Sequence, residues 1–360
     1  MKVVFTTGGT GGHIYPALAL ARALQKEEPD YNISFIGSSN RMEKSIIEKT
    51  DFDFYGYKLN SGLKGKLDKI IQYLQLLFAT LKVYFKFIFN RPNLVIGFGA
   101  YITAPVLLAA RFLNIPIMLH EQNSSLGKVN EMFYKSAKAV VVCYESLLTK
   151  YPDDKVYLLG NPRASEVKDI KPNEKILKEL NLDPKLKTVL IVMGSQGSES
   201  VNDTMFDLLP KLKNEDFQVV YVTGKKHYEF FANDFKIDNV VILPYVDQPQ
   251  MLASVDLVIA RGGATTAAEI CALGVASIII PSPYVANNHQ YVNAKQLEMA
   301  AASKIIREED LAAPVLLSTI KEIIFDSAKL KNMKQAALSL SSPNASGNII
   351  KLIRAYEDVR

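Results

Sequence analysis

Lys2-Val3-Val4-Phe5-Thr6-Thr7-Gly8-Gly9-Thr10-Gly11-Gly12-His13-Ile14-Tyr15-Pro16, followed by Ala17-Leu18-Ala19-Leu20-Ala21-Arg22-Ala23-Leu24, is the stretch whose reading decides the fold. Apolar, β-branched residues predict a strand over 3–6, and Pro16 with the alanine–leucine run predicts a helix. Between them stand four glycines in five positions, so backbone N–H groups can approach a ligand unobstructed by Cβ atoms. The helix N-terminus then points its positive dipole end at the same place, which suits an anion. His13, at the rim, adds the side chain whose ordinary pKa lies nearest neutrality. The spacing lacks the third glycine of G-x-G-x-x-G, so a dinucleotide is unsupported, and no G-x-x-x-x-G-K-[ST] loop is present.

Outward from this loop the same pattern repeats. Strand-like segments are expected at 3–6, 33–37, 94–98, 117–121, 139–143 and 156–160, and then at 189–193, 219–223, 240–244, 257–260 and 277–281. Helical patterns alternate with them, which predicts an α/β protein with parallel sheets covered on both faces. A second strand runs into Gly194-Ser195-Gln196-Gly197 and so opens a second series. The expected architecture is two Rossmann-like parallel-sheet domains facing across a cleft, residues 1–162 and 163–342, with ligands beyond the strands' C-terminal ends. The chain has 360 residues, 48% of them hydrophobic and 22% charged, which excludes a disordered chain and allows two cores. Cys143 and Cys271 sit in apolar runs and read as buried thiols of a reducing compartment. The net charge of +5 is mild, so where the lysines sit matters more than their sum, and no nucleic-acid partner is expected. No basic-then-apolar signal segment opens the chain, so the expected side of the membrane is the cytoplasmic one.

Residues 63–91 break the regularity. Leu67, Ile70, Ile71, Leu74, Leu77, Phe78, Leu81, Phe85 and Ile88 fall on one helical arc, expected to face the core. Tyr73, Leu76, Val83 and Phe87 form a second arc on the opposite side, and with Lys86 they are the expected membrane patch, docking on anionic lipid. The alternative is a buried helix pair with snorkelling lysines.

The polar clusters lie where strands end. Gly97-Phe98-Gly99-Ala100-Tyr101 is a second glycine turn in the first half, and His120-Glu121-Gln122-Asn123 places four polar side chains after an apolar strand. His120 by itself is also compatible with a structural residue bonded to backbone. In the second half, Ser195 with its glycines, and Ala264-Thr265-Thr266-Ala267-Ala268-Glu269 after Arg261-Gly262-Gly263, could hold a pyrophosphate. Glu269 suits ribose hydroxyls, or it merely complements the helix dipole. No Cys/His/Asp cluster has metal-ligand spacing and no Asp-x-Asp closes a strand. Neither a cofactor nor a metal is therefore expected, and protein groups would offset the charge of a leaving diphosphate.

Taken in order along nearly the whole chain, Gly8–His13, Gly97–Pro105, His120–Asn123, Gly160-Asn161-Pro162-Arg163, Gly194–Gly197, Arg261–Glu269 and Asn288-His289-Gln290 resemble the MurG family of glycosyltransferases. The resemblance implies a GT-B fold whose C-terminal helix, about 343–360, packs back on the first domain. It implies inverting transfer of GlcNAc from UDP-GlcNAc to the C4 hydroxyl of undecaprenyl-diphosphate-MurNAc-pentapeptide (lipid I), giving lipid II for the cell wall. It further implies a peripheral place on the cell membrane and contact with cell-wall or division proteins. Thr10, Gly11, Gly12 and Asn123 would contact the donor sugar, Arg163 and Ser195 the diphosphate, the Val246 backbone uracil, Ala264–Glu269 phosphate and ribose, and Gln290 the sugar. Gly99, Ala100, Tyr101, His120 and Glu121 would form the acceptor side. His13 is the expected general base, or else a ligand of the acceptor's pyrophosphate. Ala100 departs from the family, standing where a glycine is usual. Competing expectations are transfer to another lipid such as diacylglycerol, a UDP-GlcNAc 2-epimerase, and a nucleotide-sugar-binding scaffold.

Overall fold

The computed structural model describes residues 1–60, 66–194 and 197–357, with the side chains of 66–68 also outside the description. The chain divides into two compact units, Met1–Glu166 with Asn344–Arg360, and Val167–Pro343. The division therefore falls four residues after Pro162, and Arg163 belongs to the first unit, where its guanidinium pairs with Glu166 and lies 5.2 Å from the centre of the Tyr15 ring.

In the first unit, seven strands, β1 (Lys2–Thr6), β2 (Asn32–Ser38), β3 (Asp53–Tyr57), β4 (Leu94–Gly97), β5 (Ile117–Glu121), β6 (Ala139–Val142) and β7 (Val156–Leu158), form one parallel sheet in the order β3-β2-β1-β4-β5-β6-β7. Alternate residues of β1 serve opposite cores. Val3 and Phe5 pack with Ile14, Leu18 and the C-terminal helix Ala345–Arg354 through Ile349, Ile350 and Ile353. Val4 joins the other face with Val83, Phe87 and Val95. Helix α1 spans Gly11–Glu27 and so begins five residues before Pro16. Pro16 forfeits a single hydrogen bond, to the carbonyl of Gly12, and the earlier start places His13 in the first helical turn.

In the second unit, β8 (Lys187–Val192), β9 (Phe217–Val222), β10 (Val240–Leu243), β11 (Leu257–Ala260), β12 (Ala276–Ile279) and β13 (Ser303–Ile305) form a six-stranded parallel sheet in the order β10-β9-β8-β11-β12-β13. Its two faces are covered by separate clusters, one containing Val189 and Ile191, the other Leu190 and Val192. The strand order reverses between β1 and β4 in one sheet and between β8 and β11 in the other. In each unit the loops leaving those two strands flank the crevice where open parallel sheets take their ligands. Thr7–Gly9, Phe98–Tyr101, Gly194 with Gly197, and Arg261–Gly263 all lie at these two reversals.

Residues Lys66–Phe89 form one continuous helix rather than a pair, here α3 after the short α2 (Met42–Ile47). Its two apolar arcs face the opposite way from the sequence expectation. Val83 and Phe87 are buried and Leu76 half-buried against α4 (Ala104–Phe112), while only Tyr73 of the expected membrane arc is well exposed. Ile70, Ile71, Leu74, Leu77, Phe78, Leu81, Phe85 and Ile88 are exposed instead. Leu67 lies outside the described side chains. The buried arc carries the small Ala79 and meets Ala109 and Ala110, so two helices can approach closely there, which a row of leucines and phenylalanines would prevent. Phe87→Ala should therefore cost about 3–5 kcal/mol, and Phe78→Ala, at a residue 66% exposed, no more than about 0.5 kcal/mol; denaturant titration of both variants checks this, and equal losses would return α3 to the expected orientation.

Candidate functional site

At the reversal of the first sheet, the loops after β1 and β4 touch. A Cβ built on Gly9 would lie 3.5 Å from Ala100 Cβ, and one on Gly99 would lie 3.6 Å from His13 Cδ2 and 3.3 Å from Asn130 Nδ2. His13 Nδ1 is 3.1 Å from the Thr10 hydroxyl, which fixes the imidazole against its own loop. Gly11 and Gly12 open α1, at the positive end of its dipole. Ala100 holds φ 66° and ψ 153°, a region that only glycine enters without strain, at a cost of about 1–3 kcal/mol. The Thr103 amide and hydroxyl clamp its carbonyl at 3.1 and 2.9 Å. Tyr101 follows in a 3₁₀ turn with its hydroxyl buried and unbonded among the described residues, and burial pushes that phenol up.

The β5 cluster separates into three buried side chains and the half-buried Asn123. His120 is buried, stacked on Phe98 at 4.9 Å, with Nε2 3.1 Å from the Gly160 carbonyl and Nδ1 3.0 Å from Gln122 Nε2. Burial lowers its pKa to about 4, so the ring is neutral near pH 7. His120 is thus bonded within the first unit, to the Gly160 backbone and to Gln122. Glu121 is buried too and accepts four N–H bonds: from the Asn123 amide and side chain at 3.0 and 3.1 Å, from Gly127 at 2.9 Å and from Asn130 at 2.8 Å. Burial raises its carboxyl pKa and those donors pull it back. It thereby ties Asn123 and Asn130 to the end of β5. Asn130, which also borders Gly99, had no motif around it to mark it in the sequence.

In the second unit the helix Ala264–Leu273 starts directly after β11, with Gly263 as its N-cap. Ala264, Thr265 and Thr266 form its first turn, at the positive end of the helix dipole. Ala267 is buried and Ala268 half-buried. Glu269 is buried and accepts from Gln248 Nε2 at 2.6 Å; the same nitrogen is 3.4 Å from the Thr266 hydroxyl. Gln248 opens the helix two residues after the buried Val246, so uracil-side and ribose-side candidates are joined. Gly262 lies against Gln290, whose carbonyl a Cβ would overlap, and Asn293 Nδ2 donates to the Gly262 carbonyl at 3.1 Å. Gln290 Oε1 in turn accepts the Ser282 N–H at 2.9 Å. Ser195 lies outside the described residues. Sequence reasoning missed Gln248 and Asn293, single amides within helices that carry no local signal.

His120 yields a pH prediction. Its folded pKa lies below the unfolded value of about 6.5, so its neutral, bonded ring stabilises fully above pH 6.5 and loses that stabilisation as pH falls toward 4. The stability gap between the wild type and His120→Asn should shrink by about 3 kcal/mol across that window; urea titrations at several pH values measure it, and a constant gap rules it out.

Comparison with known proteins agrees with this geometry. Residues 3–142 match the glycosyltransferase family 28 N-terminal domain and residues 188–349 the C-terminal domain of the same family. The UDP-N-acetylglucosamine–N-acetylmuramyl-(pentapeptide) pyrophosphoryl-undecaprenol N-acetylglucosamine transferase of Bacillus pumilus is 39% identical, covering 98% of this chain and 99% of its own. The Bacillus subtilis transferase of the same name is 38% identical with the same coverage. Among solved structures, Acinetobacter baumannii MurG superposes with a TM-score of 0.78 at 26% identity, covering 98% of this chain and 99% of its own. The UDP-GlcNAc 2-epimerase of Neisseria meningitidis shares the fold alone, with a TM-score of 0.68 at 14% identity, covering 99% of this chain and 100% of its own. The two switch-point sites stand on a GT-B scaffold, and the chain belongs to the MurG family of glycosyltransferases.

Proposed function

We propose that this protein transfers GlcNAc from UDP-GlcNAc to the C4 hydroxyl of undecaprenyl-diphosphate-MurNAc-pentapeptide, with inversion, making lipid II. The chain-long identity to the Bacillus transferases carries the reading. The second unit offers UDP the amide end of Ala264–Leu273, with Glu269 for the ribose hydroxyls, the Val246 backbone for uracil and Gln290 for the sugar. Ser195 and Arg163 are the proposed diphosphate contacts; Arg is suited to such a charge-assisted bond. In the first unit, Asn123 meets the sugar hydroxyls and His13 takes the proton of the attacking hydroxyl. A helix amide end and an imidazole on one loop serve an acceptor that is both an alcohol and a diphosphate.

The same reading accounts for α3. No helix among the described residues is long and apolar enough to cross a membrane. A contiguous outward apolar face, by contrast, marks an interaction surface. Lys82 and Lys86 flank it, resting on the Tyr55 ring at 4.9 and 4.4 Å from its centre. The proposed docking face on anionic lipid is thus Ile70, Leu74, Phe78, Leu81, Phe85 and Ile88, not the Val83–Phe87 arc.

Purified protein given labelled UDP-GlcNAc and a lipid I analogue in EDTA should form the disaccharide lipid. Transfer to diacylglycerol, or epimerisation without acceptor, sinks the reading. His13→Ala should lower kcat by about 10²–10⁴-fold; a raised acceptor KM at unchanged kcat would make His13 a pyrophosphate ligand instead. For the membrane face, Phe78→Glu with Phe85→Glu should release the protein from anionic vesicles in a flotation assay while leaving its melting temperature in place, and unchanged flotation would count against the docking face.

A further inference from the structure

One side chain beneath the first glycine loop has no part in these roles. Glu43, in α2, is fully buried. Its Oε2 accepts the Gly9 N–H at 3.3 Å, and its Oε1 accepts the Ser38 N–H at 3.1 Å, at the end of β2. The carboxylate is seated so closely that a Cβ on Gly8 would lie 2.6 Å from Oε1 and 2.7 Å from Cδ. Burial raises its pKa, opposed by backbone N–H groups including those of Gly9 and Ser38.

A buried carboxylate is expensive even when bonded, and an apolar residue would fill the same space at lower cost. Its position under a loop shaped for an anion adds like-charge repulsion to that cost. The bond to Gly9 gives the physical return. With the Gly9 N–H turned inward, that N–H cannot face the ligand, and the orientation of this peptide is fixed just ahead of Thr10 and His13, whose imidazole leans on the Thr10 hydroxyl.

We propose that Glu43 is a positioning residue for acceptor recognition, holding the Gly9 N–H inward and thereby setting the loop that enters α1, and His13 on it, for the acceptor's pyrophosphate and sugar. This rests on the assignment of the lipid-linked acceptor to the first unit. The test is steady-state kinetics on the full chain with UDP-GlcNAc and a lipid I analogue, together with UDP calorimetry and thermal melting. Glu43→Gln keeps the shape but sets an NH₂ against one backbone N–H. It should lower kcat/KM for the acceptor by about tenfold or more, the size of one lost charge-assisted hydrogen bond. UDP affinity, which the second unit carries, should stay at the wild-type value. Gly8→Ala, which pushes the carboxylate from the other side, should show the same split and serves if Glu43→Gln does not fold. Unchanged acceptor kinetics, or an equal loss of UDP affinity, would overturn the proposal. A wild type that turns over no lipid acceptor would instead overturn the functional reading, and the Glu43 role would fall with it.

Discussion

A parallel sheet sends every strand's C-terminal end to the same edge, and this constraint governs the rest of the molecule. Each crossover must return over a face, so helices cover both faces and loops collect at one rim. Where the strand order reverses, between β1 and β4 and again between β8 and β11, two neighbouring loops part to opposite faces and leave room between them. Glycines there let backbone into that room, and helix N-termini supply partial positive charge. The chemistry of both sites is therefore a product of topology first and of individual side chains second.

The side chains nearest these loops are buried, polar and bonded to backbone. Glu121 collects four N–H donors, and His120 ties the end of β5 to Gly160. Such groups contribute little net stability, because desolvation offsets most of the gain. What they supply is geometry: remove one, and its partners are left unsatisfied in a place water cannot reach. His120 and Glu121 are buried in this way, while Asn123 and His13 are half-buried beside them.

Most strands were legible because a strand buried on both faces must be a continuous apolar run, as in Val189–Val192 or Leu257–Ala260. The edge strands β3 and β13 were not, since Asp53-Phe54-Tyr55-Gly56-Tyr57 and Ser303-Lys304-Ile305 carry polar or glycine residues that an edge tolerates. Periodicity found both apolar arcs of α3 but could not say which one faced inward. That depends on the alanines of α4, which belong to a different segment. In the sites, glycine spacing exposed the loops, whereas Glu43, Gln248 and Asn130 act across long sequence separations and look like ordinary helix residues.

The return of Ala345–Arg354 to the first unit has a consequence for synthesis. Residues 167–343 form an insertion in the first unit's chain, which closes only with its final segment, 344–360. Until that segment leaves the ribosome, the α1 face that Ile349, Ile350 and Ile353 will cover stays open to water, and the ion pairs of Arg354 with Glu27 and Glu28 are unmade. The inserted unit, continuous in sequence, can finish folding first, so the unit whose strands β1–β7 precede it along the chain is sealed after it.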